Sequence, residues 1–161
     1  MTMNYLLFDR DDRILQTGAI VFDASTLEFW GSLLNGLTLY IVGEETILSP
    51  VKLGNAIREN KITTLWLSSP LFTQLADEDP AIFEPLRYLL VGGDVLSPVH
   101  INRVRKLCGG VRIINGYGPT ENTTFSLTFN IEKDYDDKIP IGYPIANSTA
   151  YIVGKNNELK P

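Results

Sequence analysis

A single cysteine, Cys108, stands in a chain of 161 residues, so no internal disulfide can form. Basic residues are outnumbered, 14 Lys and Arg against 19 Asp and Glu for a net charge of −5. That balance argues against a general nucleic-acid binder or a ligand of acidic membranes, both of which need a basic surface. No apolar run approaches the roughly 18 residues needed to span a bilayer. The opening Met1–Arg10 stretch has neither a positive leading region nor a long apolar core, so no signal peptide is expected and a cytoplasmic location is the default. What remains is an ordinary globular composition, 44% hydrophobic and 20% charged, at a length that buries a core without staples or metals.

Short apolar runs bounded by turn residues recur along the chain: Gly18–Phe22, Leu37–Val42, Ile62–Leu67, Tyr88–Val91 and Val111–Ile114. Continuous rather than alternating hydrophobicity is the pattern of strands buried on both faces. Helical spacing lies between them. Leu27, Trp30 and Leu34 share a face that closes at Asn35-Gly36. Ser49-Pro50 opens a helix with Leu53 and Ile57 inward and Glu59-Asn60-Lys61 at its end. Ser97-Pro98 opens another, carrying Ile101, Val104 and Cys108 on one stripe before Gly109-Gly110. The alternation predicts an α/β fold, a mainly parallel, doubly wound, flavodoxin-like sheet with helices on both faces. A leading segment, 1–17, precedes this α/β core, 18–122. In the trailing β segment, 123–161, Phe125–Ile131 is expected as a strand, Glu132–Lys138 as a charged loop, and Thr149–Val153 as one arm of a hairpin turning at Gly154–Asn157. The return arm stops at Pro161, so this C-terminal β-element looks incomplete.

Ile114-Asn115-Gly116-Tyr117-Gly118-Pro119-Thr120-Glu121 follows a predicted parallel strand, at the sheet edge where open α/β folds bind ligands. Its glycines permit a tight turn and close backbone approach. Tyr117 offers a flat face to a nucleobase, Thr120 a hydroxyl to a phosphate, and Glu121 a carboxylate oxygen to Mg²⁺. A Gly-Pro turn with a tyrosine packed beneath it has the same composition. Asp23 stands before an amphipathic helix and suits either an N-cap or a ligand site. His100 lacks a telling partner in sequence and reads as a surface or capping residue, Asp77-Glu78-Asp79 as a solvated turn, and Cys108 as a buried, inert thiol.

Asn115–Glu121 resembles the core motif of adenylate-forming enzymes, especially the adenylation domains of nonribosomal peptide synthetases. Phe22-Asp23-Ala24-Ser25, Leu90–Asp94 and Ile139–Ile145 match the family in order and approximate spacing, so the resemblance covers the chain from about residue 10 onward. It implies a ligase that joins an amino-acid carboxylate to ATP with Mg²⁺, then passes the aminoacyl group to the phosphopantetheine of a carrier domain, with condensation domains as further partners. It assigns the nucleotide to Gly92, Gly93, Asn115, Gly116, Tyr117, Gly118 and Thr120, catalysis to Thr120 and Glu121, and the metal to Glu121. It assigns the substrate to Asp23, Ala24, Leu27, Trp66, Leu90, Gly92, Gly116, Thr124 and Phe125. Asp23 would pair with the α-ammonium group, the leucines, Trp66 and Phe125 would form apolar walls, and Gly92 and Gly116 would leave space. A neutral aliphatic amino acid follows, valine first, in the setting of antibiotic biosynthesis.

Measured against that family, no Gly/Ser/Thr-rich phosphate loop with a lysine precedes Gly18. The ribose-binding aspartate and the domain bearing the catalytic lysine would fall beyond Pro161. The isolated chain is therefore expected to carry specificity more than chemistry and to depend on the rest of an adenylation domain. An acyl- or aryl-activating relative, in which Asp23 is merely a cap, and a non-catalytic nucleotide-binding module remain as alternatives.

Overall fold

The computed structural model describes residues 4–160, and its sheet grows from five short segments that pair side by side in parallel. These are β1 (Arg13–Gln16), β2 (Thr38–Ile41), β3 (Thr64–Ser68), β4 (Tyr88–Gly92) and β5 (Arg112–Tyr117). Two antiparallel strands, β6 (Leu127–Asn130) and β7 (Tyr143–Pro144), extend the far edge. The order is β2-β1-β3-β4-β5-β6-β7, so the parallel part has the flavodoxin-like arrangement. The centre is in register, with Leu65 opposite Leu89 and Leu89 opposite Ile113. Every residue of β4 is buried, as a strand covered on both faces requires.

Helices α1 (Ala24–Asn35), α2 (Glu44–Ile47), α3 (Pro50–Glu59), α4 (Ser69–Glu78) and α5 (Pro98–Leu107) fill the crossovers. Their ends follow local chemistry. The Ser49 hydroxyl accepts the Lys52 N–H at 3.4 Å ahead of Pro50. Gly36 takes φ 66° at the end of α1, which lets the Leu37 N–H reach the Ser32 carbonyl at 2.9 Å. On one face, Leu53, Ile57, Phe72, Leu75, Ile101 and Val104 from α3, α4 and α5 pack on Leu65, Leu67, Leu89, Val91 and Ile113. On the other, Leu6, Leu27 and Phe125 pack on the alternate strand residues Trp66, Tyr88, Leu90 and Ile114. At the amino end of the sheet, buried Asp12 accepts the Asp9 N–H (2.7 Å), the Thr63 hydroxyl (2.8 Å) and the Arg87 guanidinium (2.8 Å). Among the described residues no helix is long and apolar enough to cross a membrane.

Several local expectations change. Gly18–Phe22 is a turn with Ile20, Val21 and Phe22 largely exposed, and the first strand lies upstream at Arg13–Gln16. The cause is a competing acceptor: the N–H groups of Thr17 and Gly18 donate to the Glu28 carboxylate instead of a sheet neighbour. Helix α1 buries Ser25, Glu28, Gly31 and Ser32 together with Leu27, while Trp30 and Leu34 face outward. At Gly31 an added Cβ would lie 3.6 Å from Ile14, an ordinary contact distance, so α1 packs there at normal spacing. Helix α4 and strand β7 had no counterpart in the reading of the sequence.

His100 is not partnerless. Its Nδ1 lies 2.7 Å from the Ser97 hydroxyl and its Nε2 3.0 Å from Asp77, joining α5 to α4. Asp77 and Glu78 finish α4, and Asp79 caps the following 3₁₀ turn (Pro80–Phe83) by accepting the Ala81 N–H. Cys108 is buried, its thiol donates to the Pro80 carbonyl at 3.3 Å, and burial pushes its pKa up to about 11. The tail hairpin narrows to one bridge, Val153 to Leu159, closed by the Gly154 N–H on the Glu158 carbonyl at 2.8 Å.

Candidate functional site

The β1/β3 boundary is where the parallel order reverses, and ligands of such sheets bind there, beyond the strands' carboxyl ends. A cavity of about 580 Å³ opens at that place. Thr17 and Gly18 line it after β1, Leu67 and Ser68 at the end of β3, Gly93 after β4, and Gly116, Gly118 and Thr120 at and beyond β5. Asp23 and Ala24 enter from the start of α1, Thr124 and Phe125 from the segment before β6, and Trp66 from β3. Among the described residues Asp23 is the only charged side chain in this lining. Asp23 and Thr120 therefore converge at one edge of the sheet, with Glu121 next along an exposed 3₁₀ turn, Thr120–Asn122.

Asp23 does not cap α1 with its side chain. Its Oδ2 accepts the Thr124 N–H at 2.8 Å, and the Thr124 hydroxyl donates back to the Asp23 carbonyl at 2.8 Å. This latch sits on unusual backbone: Thr123 has φ 46° and Thr124 φ 68°. β-branched residues avoid that region, at a cost of about 1–3 kcal/mol each. Two hydrogen bonds to Asp23 offset part of that cost and hold Thr124 at the rim.

The remaining positions divide into lining and support. Trp66 and Phe125 pack as tilted rings, 5.3 Å between centres and 56° between planes, and form the apolar wall. Leu90, fully buried, stands behind them. Leu27 lines a separate groove of about 190 Å³ with Tyr5, Trp30 and Leu34, so neither leucine faces the larger cavity. The glycines do not leave open space. A Cβ on Gly92 would come 2.0 Å from the Gly116 carbonyl oxygen, and one on Gly116 would come 2.4 Å from the Phe125 ring. They are glycines because backbone and aromatic ring occupy the room a side chain would need.

A second cleft of about 260 Å³ runs along the other side of the β5 end, between Gly93–Leu96 and Asn115–Gly118, with Ile139 and Ile141 opposite. Gly93, Gly116 and Gly118 line both clefts, so only backbone separates them. Tyr117 leaves about half of its surface exposed at this edge. Asn115 is buried and donates its amide to the Pro140 carbonyl at 2.9 Å, which fixes its orientation.

Two polar residues that matter to the cavity escaped the reading of the sequence, Glu28 and Thr17. Burial raises the Glu28 pKa to about 7, against the lowering effect of hydrogen bonds from Thr17 and Gly18. A signal was present: Ser25, Glu28 and Ser32 recur at helical spacing and mark a polar inward stripe on α1.

A cavity at the switch point, a Gly-rich strand end and a second cleft against the same glycines are the features of a nucleotide-using α/β site. The chain belongs to the AMP-binding enzyme family, whose model matches residues 1–161. Its fold is that of the N-terminal subdomain of adenylation domains: a solved holo nonribosomal peptide synthetase protein with adenylation and PCP domains, bound to a vinylsulfonamide inhibitor, superposes with TM-score 0.94 at 36% identity, over 100% of this chain and 28% of that one. The Klebsiella oxytoca NpsA N-terminal subdomain in complex with 3-hydroxybenzoyl-AMSN gives TM-score 0.85 at 25% identity, over 96% of this chain and 40% of that one. In sequence the chain is 55% identical over 161 residues to tyrocidine synthase 3 of Brevibacillus parabrevis, covering 100% of this chain and 2% of that synthase. It is 53% identical over 158 residues to gramicidin S synthase 2 of Brevibacillus brevis, covering 98% of this chain and 4% of that synthase. The chain thus spans only a few per cent of the length of these curated relatives.

Proposed function

We propose that this chain forms the amino-acid pocket and part of the ATP site of an adenylation domain that activates a neutral aliphatic amino acid, valine first, as its aminoacyl adenylate. The observation that carries the reading is the lone Asp23 carboxylate on an otherwise uncharged cavity walled by Trp66 and Phe125. A half-buried carboxylate with no cation beside it selects a cationic partner, and the substrate's α-ammonium group supplies one. Among the described residues no second charge lines the cavity to compensate a charged side chain on the substrate.

In this reading the amino acid lies between Asp23 and the Trp66–Phe125 wall, its carboxylate directed toward the shared glycines. ATP occupies the neighbouring cleft, with its adenine against Tyr117 and the Gly93 backbone and its α-phosphate near Thr120. Carboxylate attack on the α-phosphorus forms the acyl–phosphate bond and releases pyrophosphate. The aminoacyl group then passes to a phosphopantetheine thiol on a carrier domain, forming the thioester as the acyl–phosphate bond breaks and AMP leaves, and condensation domains use the product. Glu121, on the exposed 3₁₀ turn beside Thr120, would supply one carboxylate to a Mg²⁺ with further oxygens from the substrate phosphates. When bound, that ion neutralises charge on the phosphates.

The test is amino-acid-dependent pyrophosphate exchange across a panel of amino acids, with this segment set in a complete adenylation domain. Valine is expected to lead, with leakage to isoleucine, because one methylene is worth only about 1–3 kcal/mol in such a pocket. Asp23→Ala is expected to lower kcat/KM by about 100-fold, because it strands a desolvated ammonium group. A preference for a charged amino acid, or unchanged kcat/KM in Asp23→Ala, would overturn the assignment.

A further inference from the structure

Glu28 is the only ionisable residue of α1, and at 1% exposure it points into the protein. Its carboxylate accepts the Thr17 N–H at 2.8 Å, the Thr17 hydroxyl at 3.0 Å and the Gly18 N–H at 3.1 Å. The Thr17 hydroxyl also meets the Trp66 carbonyl oxygen. A hydroxyl carries one proton, so Glu28 and the Trp66 carbonyl share a single donor. Gly18 is pressed against the same carboxylate, where a Cβ would come within 3.2 Å of Oε2. Glu28 therefore fixes the start of the strand-to-helix turn, while the Gln16 amide on the Gly18 carbonyl and the Ser25 hydroxyl on the Phe22 carbonyl hold the rest. Three residues joined to Glu28 in this way, Thr17, Gly18 and Trp66, line the cavity whose charged residue, Asp23, stands just before the same helix.

We propose that Glu28 is a positioning residue for amino-acid recognition: it holds Thr17, Gly18 and the Trp66 strand at a fixed distance from the start of α1, and so sets the width of the cavity facing Asp23. This rests on the proposed function. Glu28 touches neither substrate nor nucleotide in that reading and acts through the wall it holds. The groups facing it are Thr17 and Gly18 from the turn and Trp66 from β3. Asp23, five positions before it in the chain, is turned to Thr124. The influences on its protonation are burial and the Thr17 and Gly18 hydrogen bonds, with no charged side chain among them.

Two measurements separate the outcomes. In the 161-residue chain itself, amide hydrogen exchange reads the clamp without reference to activity. Glu28→Ala is expected to speed exchange at Thr17 and Gly18 by about tenfold or more while the amides of β4 keep their protection. Unchanged exchange at those two amides overturns the clamp, whatever the domain activates. In a complete adenylation domain, Glu28→Ala is expected to raise KM for the amino acid about tenfold, leaving kcat and KM for ATP within about threefold. Glu28→Gln, which keeps an acceptor of the same shape, is expected to restore that KM to within about threefold and to abolish its variation across the window around pH 7. Equal losses in kcat and both KM values, or a lowered melting temperature with unchanged kinetics, would make Glu28 a merely structural residue and overturn the proposal. Should Glu28→Ala fail to fold, Glu28→Gln decides alone, since a KM that varies with pH as in the unaltered domain overturns it. If the unaltered domain activates no amino acid, the proposed function fails and this inference with it, whereas the amide exchange still reports on the clamp.

Discussion

On one face of the sheet, α3, α4 and α5 press Leu53, Phe72 and Val104 inward to zero exposure; on the other, α1 turns Ser25, Glu28, Gly31 and Ser32 toward the strands and leaves Trp30, Leu33 and Leu34 more than half exposed. The first face is a hydrophobic layer that reaches the larger cavity only through Leu67 and Leu71 and the second cleft through Leu96 and Ile139. The second carries Asp23, Trp66, Phe125 and the polar clamp around Thr17. Stability is concentrated where the chemistry is absent, and polar residues are buried where it is expected. A fold that separates these roles can vary its pocket without repacking the larger core.

The contrast can be broken from either side. The largest effect is expected in the hydrophobic layer: Phe72→Ala removes a fully buried ring and should cost about 3–5 kcal/mol, seen as a shifted midpoint in urea unfolding. On the site face, Gly92→Ala forces a Cβ to within 2.0 Å of the Gly116 carbonyl oxygen and should cost about 3 kcal/mol. Gly116→Ala meets the Phe125 ring at 2.4 Å instead and should cost less, because a side chain gives way more easily than backbone. Equal losses at the two glycines would mean that the Phe125 ring is as rigid as the strand.

A smaller effect separates the faces by pH. The Glu28 pKa rises from 4.5 unfolded to about 7 folded, so the folded state holds its proton more tightly. The stability this contributes is complete below about 4.5 and is lost as pH rises through about 7. Relative to Glu28→Gln, the chain should therefore lose up to about 3 kcal/mol across that window in denaturant titrations at several pH values. A chain that instead gained stability relative to Glu28→Gln as pH rises would reverse the sign and remove burial as the cause. The smallest effect belongs to the outer side of α1, where Trp30→Ser should stay within about 0.5 kcal/mol because the ring is already 56% exposed.

The central strands were legible because Ile62–Leu67, Tyr88–Val91 and Val111–Ile114 are apolar runs between turn residues, and β3, β4 and β5 lie on them. Strand β1 was not, because Arg13–Gln16 has only Ile14 and Leu15 at its centre and follows a run of charges, while Ile20-Val21-Phe22 imitates a strand nearby. The decoy fails through Glu28, whose capture of two backbone donors depends on how α1 sits against the sheet. The Asn115–Glu121 stretch was visible because its residues are contiguous. What could not be read was which apolar residues face the cavity, since Leu27 is as buried as Trp66 but turns to a separate groove, and Leu90 lies behind the aromatic pair. The filled space above Gly92 and Gly116 depends likewise on neighbours distant in the chain.

The Asp23–Thr124 latch joins residues 101 positions apart, and this has a consequence for the order of folding. Closing so long a loop is entropically costly until intervening structure shortens it, and here that structure is the run of strands from β1 through β5. The left-handed Thr124 gains its compensating bonds only when the loop has closed. The rim of the cavity is therefore expected to be among the last parts to become ordered, so that a chain caught before that point has a sheet with an unfinished cavity. In pulse-labelling during refolding, the Thr124 amide should gain protection after those of β4.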